Sequence, residues 1–167
     1  TEISERNAEN LVRDELEKME AKEVIVQESE LSQNSSRTQW LKAGSFYLHT
    51  CEDWTYSYSE SRRCLLEHFK TVSLEGFGCE HFKLAVSAAG AMLRYLQETQ
   101  KSTLEHISSL STFNVHSYML LDNTTVKSLE LAQTSQENRK GSLVDMLDLS
   151  QTPMGARRIK EWVLKPL

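Results

Sequence analysis

The sequence contains few cysteines, prolines and glycines, and it has no long apolar run. Its 167 residues include three cysteines, two prolines and six glycines. No apolar run approaches the length of about 20 residues that a bilayer requires, and no charged-then-apolar leader opens the chain. Because three cysteines cannot all pair within the chain, reduced thiols and an intracellular location are expected.

The chain also lacks an excess of positive charge, since its net charge is -5. Residues 1–80 carry 9 basic and 16 acidic side chains, whereas residues 81–167 carry 10 and 8. Neither half is a basic arm of the kind that binds nucleic acid. The apolar content of 39% is ordinary for a globular protein and is enough to bury a core, in one domain or two small ones.

The first half alternates between helical and strand patterns. Apolar residues at helical spacing predict a helix over residues 5–20, with Ser4 as its N-cap. Strands are predicted at Glu23–Gln27 and Ser45–Thr50, and another helix at residues 59–69. Residues between the two strands are polar and weakly patterned. This order predicts an α/β arrangement.

The second half reads as mainly helical. Residues 82–96 are apolar almost all round, which predicts a helix packed on several sides. Residues 112–121 suggest a short strand pair or an extended arm. Thr152 as N-cap, followed by Pro153 at the first helical position, predicts a C-terminal helix. The glycine-containing bend that ends at Gly78 places a domain boundary between residues 1–78 and 79–167.

Three spaced motifs carry a resemblance to a known family. They are Leu121-Asp-x-x-Thr-x-x-x-Leu-Glu-Leu131, Gly141-Ser-Leu-x-x-x-Leu-Asp148 and Thr152-Pro-Met-Gly-Ala-Arg-x-x-x-x-Trp-x-x-x-Pro-Leu167. Their order and spacing resemble the core of the MutS family of DNA mismatch-repair proteins. Upstream, Phe77-Gly78, Ala88-Ala-Gly-x-x-x-x-Tyr95 and Thr99-Gln-Lys101 are similar to the join between connector and core in that family.

The resemblance implies a mixed α/β, mainly helical fold. Residues 1–78 would be the C-terminal part of a ribonuclease-H-like α/β connector domain, and residues 79–167 the N-terminal part of the α-helical core, or lever, domain. Within the motifs, Asp122 suits an N-cap, Gly155 leaves room for a neighbouring helix, and Trp162 supplies an apolar anchor. These roles are structural.

The resemblance further implies a non-catalytic segment of a mismatch-recognition ATPase. It would relay signals between the ATPase and DNA-binding domains and contact other MutS domains. The parent protein would be a dimer that binds ATP, Mg and DNA in the cytoplasm at the nucleoid. The connector would offer a docking surface for MutL, with Arg62, Arg63 and Glu67 as candidates.

Catalytic and cofactor-binding residues are not expected in this segment. The sequence has no G-x-x-x-x-G-K-[ST] loop, and no glycine is followed by lysine, so nothing here can cradle nucleotide phosphates in that manner. The mismatch-reading aromatic wedge of the family has no counterpart in the chain, and direct contact with DNA is not expected.

Three Cys/His pairs raise the alternative of a zinc site. The pairs His49 with Cys51, Cys64 with His68, and Cys79 with His81 could each supply two zinc ligands. Their spacing matches no common zinc module, and ordinary buried thiols are favoured. The alternative hypothesis is a free-standing α/β protein-interaction module, with or without structural zinc.

Two charged stretches have both a functional and a structural interpretation. A nucleic-acid contact is one use for the basic residues of the last helix, but salt bridging within the parent protein is favoured. The acidic residues of the first helix are better explained as a solvated face than as a catalytic carboxylate pair. The basic residues are Arg157, Arg158, Lys160 and Lys165, and the acidic ones are Asp14, Glu15, Glu17 and Glu20.

Overall fold

The chain was analysed as a computed structural model that describes residues 1–3, 8–32, 36–44, 46–100, 104–114 and 117–167, without the side chains of residues 36–38. It contains two compact units, Thr1–Ser4 with Ala21–Phe113, and Glu5–Glu20 with Asn114–Leu167. The predicted cap at Ser4, part of the motif at Lys101 and residues 115–116 of the predicted strand pair lie outside the described residues.

A small parallel sheet organises part of the first unit. Strand β1 (Glu23–Gln27) pairs with β2 (Tyr47–Cys51), with Glu23 opposite Tyr47 and Gln27 opposite Cys51. Parallel strands require a crossover connection, and this one contains helices α2 (Glu28–Ser32) and α3 (Ser36–Ala43). The predicted α/β class is confirmed, whereas the two short helices were not predicted because their segment has no clear apolar stripe.

The core of the first unit lies between helices α4 (Tyr58–Phe69) and α5 (Lys83–Gln100). Two 3-10 helices, Asp53–Tyr56 and Glu75–Phe77, flank α4 along the chain. The core side chains come from both long helices and from the segments that follow them, namely Leu65, Leu74, Cys79, Val86, Leu93 and Leu104. Burial of this apolar surface is the main stabilising contribution in the unit.

Helices α4 and α5 approach most closely where Ser61 meets Gly90. A Cβ atom at Gly90 would lie 2.4 Å from the Cα of Ser61 and 2.7 Å from its carbonyl oxygen. Ser61 is itself buried, and its Oγ lies 3.0 Å from the carbonyl oxygen of Thr55 and 3.1 Å from that of Ser87. The crossing therefore requires glycine on one helix and a small hydroxyl side chain on the other.

One side of α5 does not pack within its unit. Leu84, Ala88 and Met92 are spaced four residues apart on the helix, and all three are exposed. Elsewhere α5 contacts α4 and the Asp53–Tyr56 helix, and its Tyr95 reaches His49 and Glu23 of the two strands. The helix therefore packs on several sides, as expected, but not along this exposed row.

The second unit is helical. It contains α1 (Ala8–Lys18), α6 (Asn123–Ser128), α7 (Leu143–Leu147) and α8 (Pro153–Leu164). Its buried apolar side chains are Leu131, Val144 and Leu164. None of the described helices is both long enough and apolar enough to cross a membrane.

The described residues of the segment before α6 form an arm rather than a strand pair. Among the described residues between 112 and 121, none is assigned to a strand. The backbone N–H of Met119 donates to the carbonyl oxygen of Pro166 over 2.8 Å, which joins the arm to the end of the second unit. Of the two predicted alternatives, the extended arm agrees with the structure.

The polar loop between α6 and α7 is closed at its base by backbone hydrogen bonds. The N–H of Leu143 donates to Glu130 over 3.1 Å, and the N–H of Val144 donates to Leu131 over 2.9 Å. Gly141 reverses the chain just before α7 with a φ of 92°, a conformation that favours glycine. These hydrogen bonds therefore hold the two ends of the loop next to each other.

The predicted boundary at residue 78 concerns family domains and stays a prediction. By compactness the chain divides elsewhere, since α5 packs with α4 in the first unit and α1 belongs to the second. A boundary chosen from glycines and polarity does not detect that helices on either side of it share a core.

Candidate docking face and supporting residues

Helix α4 carries the residues predicted to dock a partner. It begins after Ser57 and ends at Lys70, whose left-handed backbone (φ 54°) lets its N–H donate to the carbonyl oxygen of Leu66. Ser61 and Leu65, four residues apart, are buried toward the core. Arg63 and Glu67 have the same spacing but are exposed, so the periodicity of the helix places them on a different side from its packing residues.

The Arg62 side chain forms an ion pair within the chain instead of pointing freely into solvent. Its Nε and Nη2 lie 2.9 and 2.7 Å from Oε1 of Glu80, and Oε2 of Glu80 accepts the N–H of Leu74 over 2.7 Å. The Leu74 N–H and the Arg62 guanidinium hold the pKa of Glu80 below its usual value. Arg62 thus fastens the turn at Leu74 to α4, and only part of its side chain remains exposed.

Arg63 lies at the centre of an exposed charge network. Its Nη2 is 2.6 Å from Glu60 and its Nη1 is 3.3 Å from Glu67, one helical turn away on either side. Arg94 of α5 extends the network, with its Nη2 3.9 Å from Glu60. The hydrogen bond and charge of Arg63 lower the pKa of Glu60. Exposed pairs of this kind add little stability but give a surface a fixed charge pattern.

Trp54 joins the same network through a cation–π contact. The guanidinium carbon of Arg94 lies 4.6 Å from the centroid of the Trp54 ring, and the Trp54 side chain also donates from Nε1 to Glu52. Trp54 nevertheless remains 48% exposed. Tryptophan and arginine are the residue types that most often dominate binding energy at protein interfaces.

These contacts define the α4 face as Trp54, Glu60, Arg63, Glu67 and Arg94. Of the predicted docking residues, the structure places Arg63 and Glu67 on this face and uses Arg62 in an internal ion pair. Sequence reasoning missed Trp54 and Arg94 as members. For Trp54 the signal in the sequence was a tryptophan just before an amphipathic helix. For Arg94 there was none, because its place depends on how α5 packs.

Two of the three predicted structural motif residues act at helix N-termini. Asp122 Oδ1 accepts the N–H of Thr125 over 2.6 Å and caps α6. Hydrogen bonding to Thr125 lowers the pKa of Asp122. A Cβ at Gly155 would lie 2.9 Å from the Cβ of Ser150. The close neighbour of this glycine is therefore the turn before α8, not another helix as expected.

Trp162 is not a buried anchor in the described part of the chain. It is 62% exposed, and the guanidinium carbon of Arg158 lies 5.6 Å from the centroid of its ring. The buried residue of α8 is Leu164. The prediction assumed that the largest apolar side chain faces the core, but α8 packs on one side and turns Trp162 away from it.

The Cys/His pairs remain in separate elements. Among the described residues, no group of three or more potential metal ligands converges. The His49 and Tyr95 rings are in tilted contact with their centroids 4.6 Å apart, and His68 Nε2 lies 2.8 Å from the carbonyl oxygen of Ile107. The three cysteines are free thiols, and burial raises the pKa of each of them. The described geometry gives them packing roles.

Charged residues of the first and last helices of the second unit meet each other. Lys165 lies 3.0 Å from Glu15, and Lys160 pairs with Glu20. Arg158 instead pairs along its own helix with Glu161 at 2.7 Å. Salt bridging within the chain, which was favoured over nucleic-acid contact, is thus observed for Lys160 and Lys165. Glu15 is buried, which corrects the expectation that the acidic face is solvated throughout.

The described fold and side chains define a class of protein segment. It is a small parallel sheet with packed helices, joined in sequence to a helical unit, and its recognisable side chains cap helices, pack and form ion pairs. That is the pattern of a structural segment whose side chains stabilise the fold.

Comparison with known proteins identifies the family. A model described as MutS domain II matches residues 1–108, and one described as MutS domain III matches residues 124–167. The chain is similar to the DNA mismatch repair protein MutS of Porphyromonas gingivalis, at 44% identity over 87% of this chain and 16% of that protein. For MutS of Halothermothrix orenii the identity is 40% over 100% of this chain and 18% of that protein. This chain belongs to the MutS family.

The chain corresponds to only a small part of these relatives. MutS of Protochlamydia amoebophila is 35% identical over 99% of this chain, which covers 20% of that protein. The chain thus spans between about a sixth and a fifth of the length of the relatives compared. It comprises the region of MutS domains II and III.

Proposed function

We propose that this chain is the connector and early core segment of a DNA mismatch-repair protein, where it transmits signals between the ATPase and the DNA-binding domains. The observation that carries the proposal is the consecutive match to MutS domains II and III. Rigid packed elements suit a relay, because packed cores transmit displacement with little compression. The α4–α5 core is such an element.

The parent protein in this proposal is a dimeric ATPase that uses ATP and Mg and binds DNA in the cytoplasm at the nucleoid. The chain itself has no phosphate-binding loop sequence. Exposed apolar residues of the second unit, including Met154 and Trp162, suit contact with other domains of the parent. The segment would thus act through contacts rather than through its own chemistry.

The 167-residue chain alone should show neither activity of the proposed parent. We expect no ATP hydrolysis above buffer in a phosphate-release assay, since the chain has no G-x-x-x-x-G-K-[ST] phosphate-binding loop. We also expect equal affinity for a G·T mismatched duplex and its matched control in fluorescence anisotropy. ATP turnover that co-purifies with the chain, or tighter binding to the mismatch, would contradict the assignment of these activities to other domains.

We further propose that the α4 face is the docking surface for MutL. It combines a half-exposed tryptophan, a stacked arginine and an alternating charge network on adjacent helices. Such a surface offers an aromatic anchor together with charges that orient a partner. Arg62 contributes indirectly, because its ion pair with Glu80 secures the turn beside α4.

Reversing the central charge of this face should weaken MutL binding. For Arg63→Glu we expect an affinity loss of about tenfold, because the face would lose its central positive charge and present three neighbouring carboxylates to the partner. Binding of the purified chain to purified MutL is measured by biolayer interferometry. Arg158→Glu is the matched control, since it also breaks an exposed pair with a glutamate three residues away. Equal binding by Arg63→Glu and wild type would place the docking surface elsewhere.

A further inference from the structure

A segment near the end of the first unit packs on the core without forming a helix or a strand. In residues 104–112, the buried or half-buried positions recur at every third residue and are Leu104, Ile107 and Leu110. All three pack in or against the core cluster that contains Cys79. The remaining residues of the segment are exposed. This cover segment (residues 104–112) therefore lies over the core and touches it with one side chain in every three.

The backbone of the cover segment is bonded mainly to itself. Within the described part of the chain, its backbone-to-backbone hydrogen bonding is limited to the N–H of Ile107, which donates to Leu104 over 2.9 Å. Leu104 has a left-handed backbone with a φ of 50°, a conformation that is costly for a bulky side chain. Segments with few backbone hydrogen bonds to their surroundings open more readily than packed helices do.

Among the described residues, two side-chain hydrogen bonds to carbonyl oxygens join the cover segment to the rest of its unit. Nε2 of His68, in the last turn of α4, lies 2.8 Å from the carbonyl oxygen of Ile107. Because a carbonyl oxygen only accepts, the imidazole donates this bond. The hydroxyl of Thr112 donates to the carbonyl oxygen of Phe77 over 2.8 Å. One bond thus holds the middle of the segment and the other holds its end.

Cys79 lies beneath the end of the cover segment that Thr112 holds. Cys79 is 5% exposed, and its Sγ lies 3.8 Å from the carbonyl oxygen of Leu74. Burial raises the pKa of Cys79, and a hydrogen bond with the Thr112 side chain offsets this only in part. Such a thiol is nearly inert toward alkylation, because the thiolate is the nucleophile. Cys79 therefore reacts only when the segment or the core opens.

We infer that the cover segment opens as a whole while the α4–α5 core stays closed, and that the His68 and Thr112 side chains set how often it does so. This local opening goes beyond the proposed function and concerns the first unit alone. It follows from the singly spaced apolar contacts of the segment, its self-bonded backbone and its two side-chain links. The segment is then a conformational device that gates the surface around Cys79 without unfolding of the unit.

Alkylation of the three thiols in the 167-residue chain tests this opening. Labelling with iodoacetamide in increasing urea, read for each cysteine by peptide mass spectrometry, shows how each thiol becomes accessible. We expect Cys79 to label in low urea with a weak dependence on urea, because opening of the segment exposes less surface than unfolding does. Circular dichroism of the same samples follows global unfolding. Cys79 labelling with the urea dependence of global unfolding would overturn the inference.

Removing either side-chain link should increase Cys79 labelling. For His68→Ala and for Thr112→Val we expect a rise of about threefold to tenfold, the effect of one lost hydrogen bond on an opening equilibrium. Cys51 and Cys64 should label as in wild type. Loss of the Thr112 hydroxyl also removes a bond that lowers the thiol pKa, which by itself slows labelling, so a rise has to come from opening. Unchanged Cys79 labelling in both variants, or an equal rise at all three thiols, would contradict a separate opening.

Two control variants separate the hydrogen bond of His68 from the loss of its ring. Glutamine places its amide nitrogen near the position of Nε2, so His68→Gln should keep the link to Ile107 and leave Cys79 labelling as in wild type. His106→Ala removes an exposed histidine of the cover segment itself and should also leave labelling unchanged. A rise with His106→Ala as large as that with His68→Ala would show that the link at His68 does not set the opening.

Discussion

Gly90→Ala is expected to lower the free energy of unfolding by about 3 kcal/mol, because overpacking a close helix crossing forces the backbones apart. The added methyl group would lie 2.4 Å from the Cα of Ser61, which cannot turn aside as a flexible side chain can. Separating α4 from α5 also weakens the hydrogen bond from Ser61 Oγ to Ser87. Urea unfolding followed by circular dichroism measures the change.

Gly76→Ala provides the control for this substitution. Nothing lies within 4 Å of the position that its Cβ would occupy, so we expect a change within about 0.5 kcal/mol. The two variants add the same atom to the same chain and differ in what it meets. Equal stability of Gly90→Ala and Gly76→Ala would mean that the helices do not cross at Gly90.

Leu65→Ala is expected to cost about 2–5 kcal/mol, the range observed when a fully buried leucine is truncated and a cavity remains. Leu65 is 2% exposed and packs in the cluster with Leu74, Val86 and Leu93. Its loss removes contacts to both long helices and to the segment between them. The same urea titration applies, read as a shift of the transition midpoint at constant slope.

Leu84→Ala is the matched control on the neighbouring helix. Leu84 is 65% exposed, so truncation removes little buried surface and the expected change is within about 0.5 kcal/mol. A loss at Leu84 as large as that at Leu65 would show that the outer side of α5 is covered in solution. That result would contradict the exposed side described for α5.

Elements with strong local signals were predictable from the sequence. Strand β1 follows from three consecutive β-branched residues, Val24 to Val26, and α8 from Thr152 and Pro153. The Thr152 hydroxyl accepts the N–H of Gly155 over 3.1 Å, as an N-cap should. Helix capping and strand propensity depend only on residues close together in the chain, so the sequence alone is enough to predict them.

The burial or exposure of side chains that depends on packing between elements was harder to predict from the sequence. The apolar pattern of α5 did not reveal that Leu84 and Met92 stay exposed, nor could size alone place Trp162 outside the core. The burial of Glu15 depends on Lys165, which is distant in sequence. Such outcomes are set by which elements pack together, and periodicity within one element carries no information about its partner.

Only part of the candidate docking face could be predicted, because its other members depend on which elements pack together. Helical spacing was enough to group Arg63 with Glu67, because residues four apart share a face. It could not separate Arg62 from them, since the ion pair with Glu80 depends on the fold of the turn at Leu74. Trp54 and Arg94 meet only once α5 lies beside the 3-10 helix.

The backbone closure at the base of the loop between α6 and α7 bears on how homologous chains can differ in length. The alignment with the Halothermothrix orenii relative covers 174 positions against 167 residues here, so extra residues must be accommodated. A loop pinned at Glu130 and Leu143 can grow without moving either helix, and doubling its length costs only about 0.6 kcal/mol. Insertions and deletions within this loop are therefore expected to leave α6 and α7 in place, so that homologous chains can differ in length here without a change of fold.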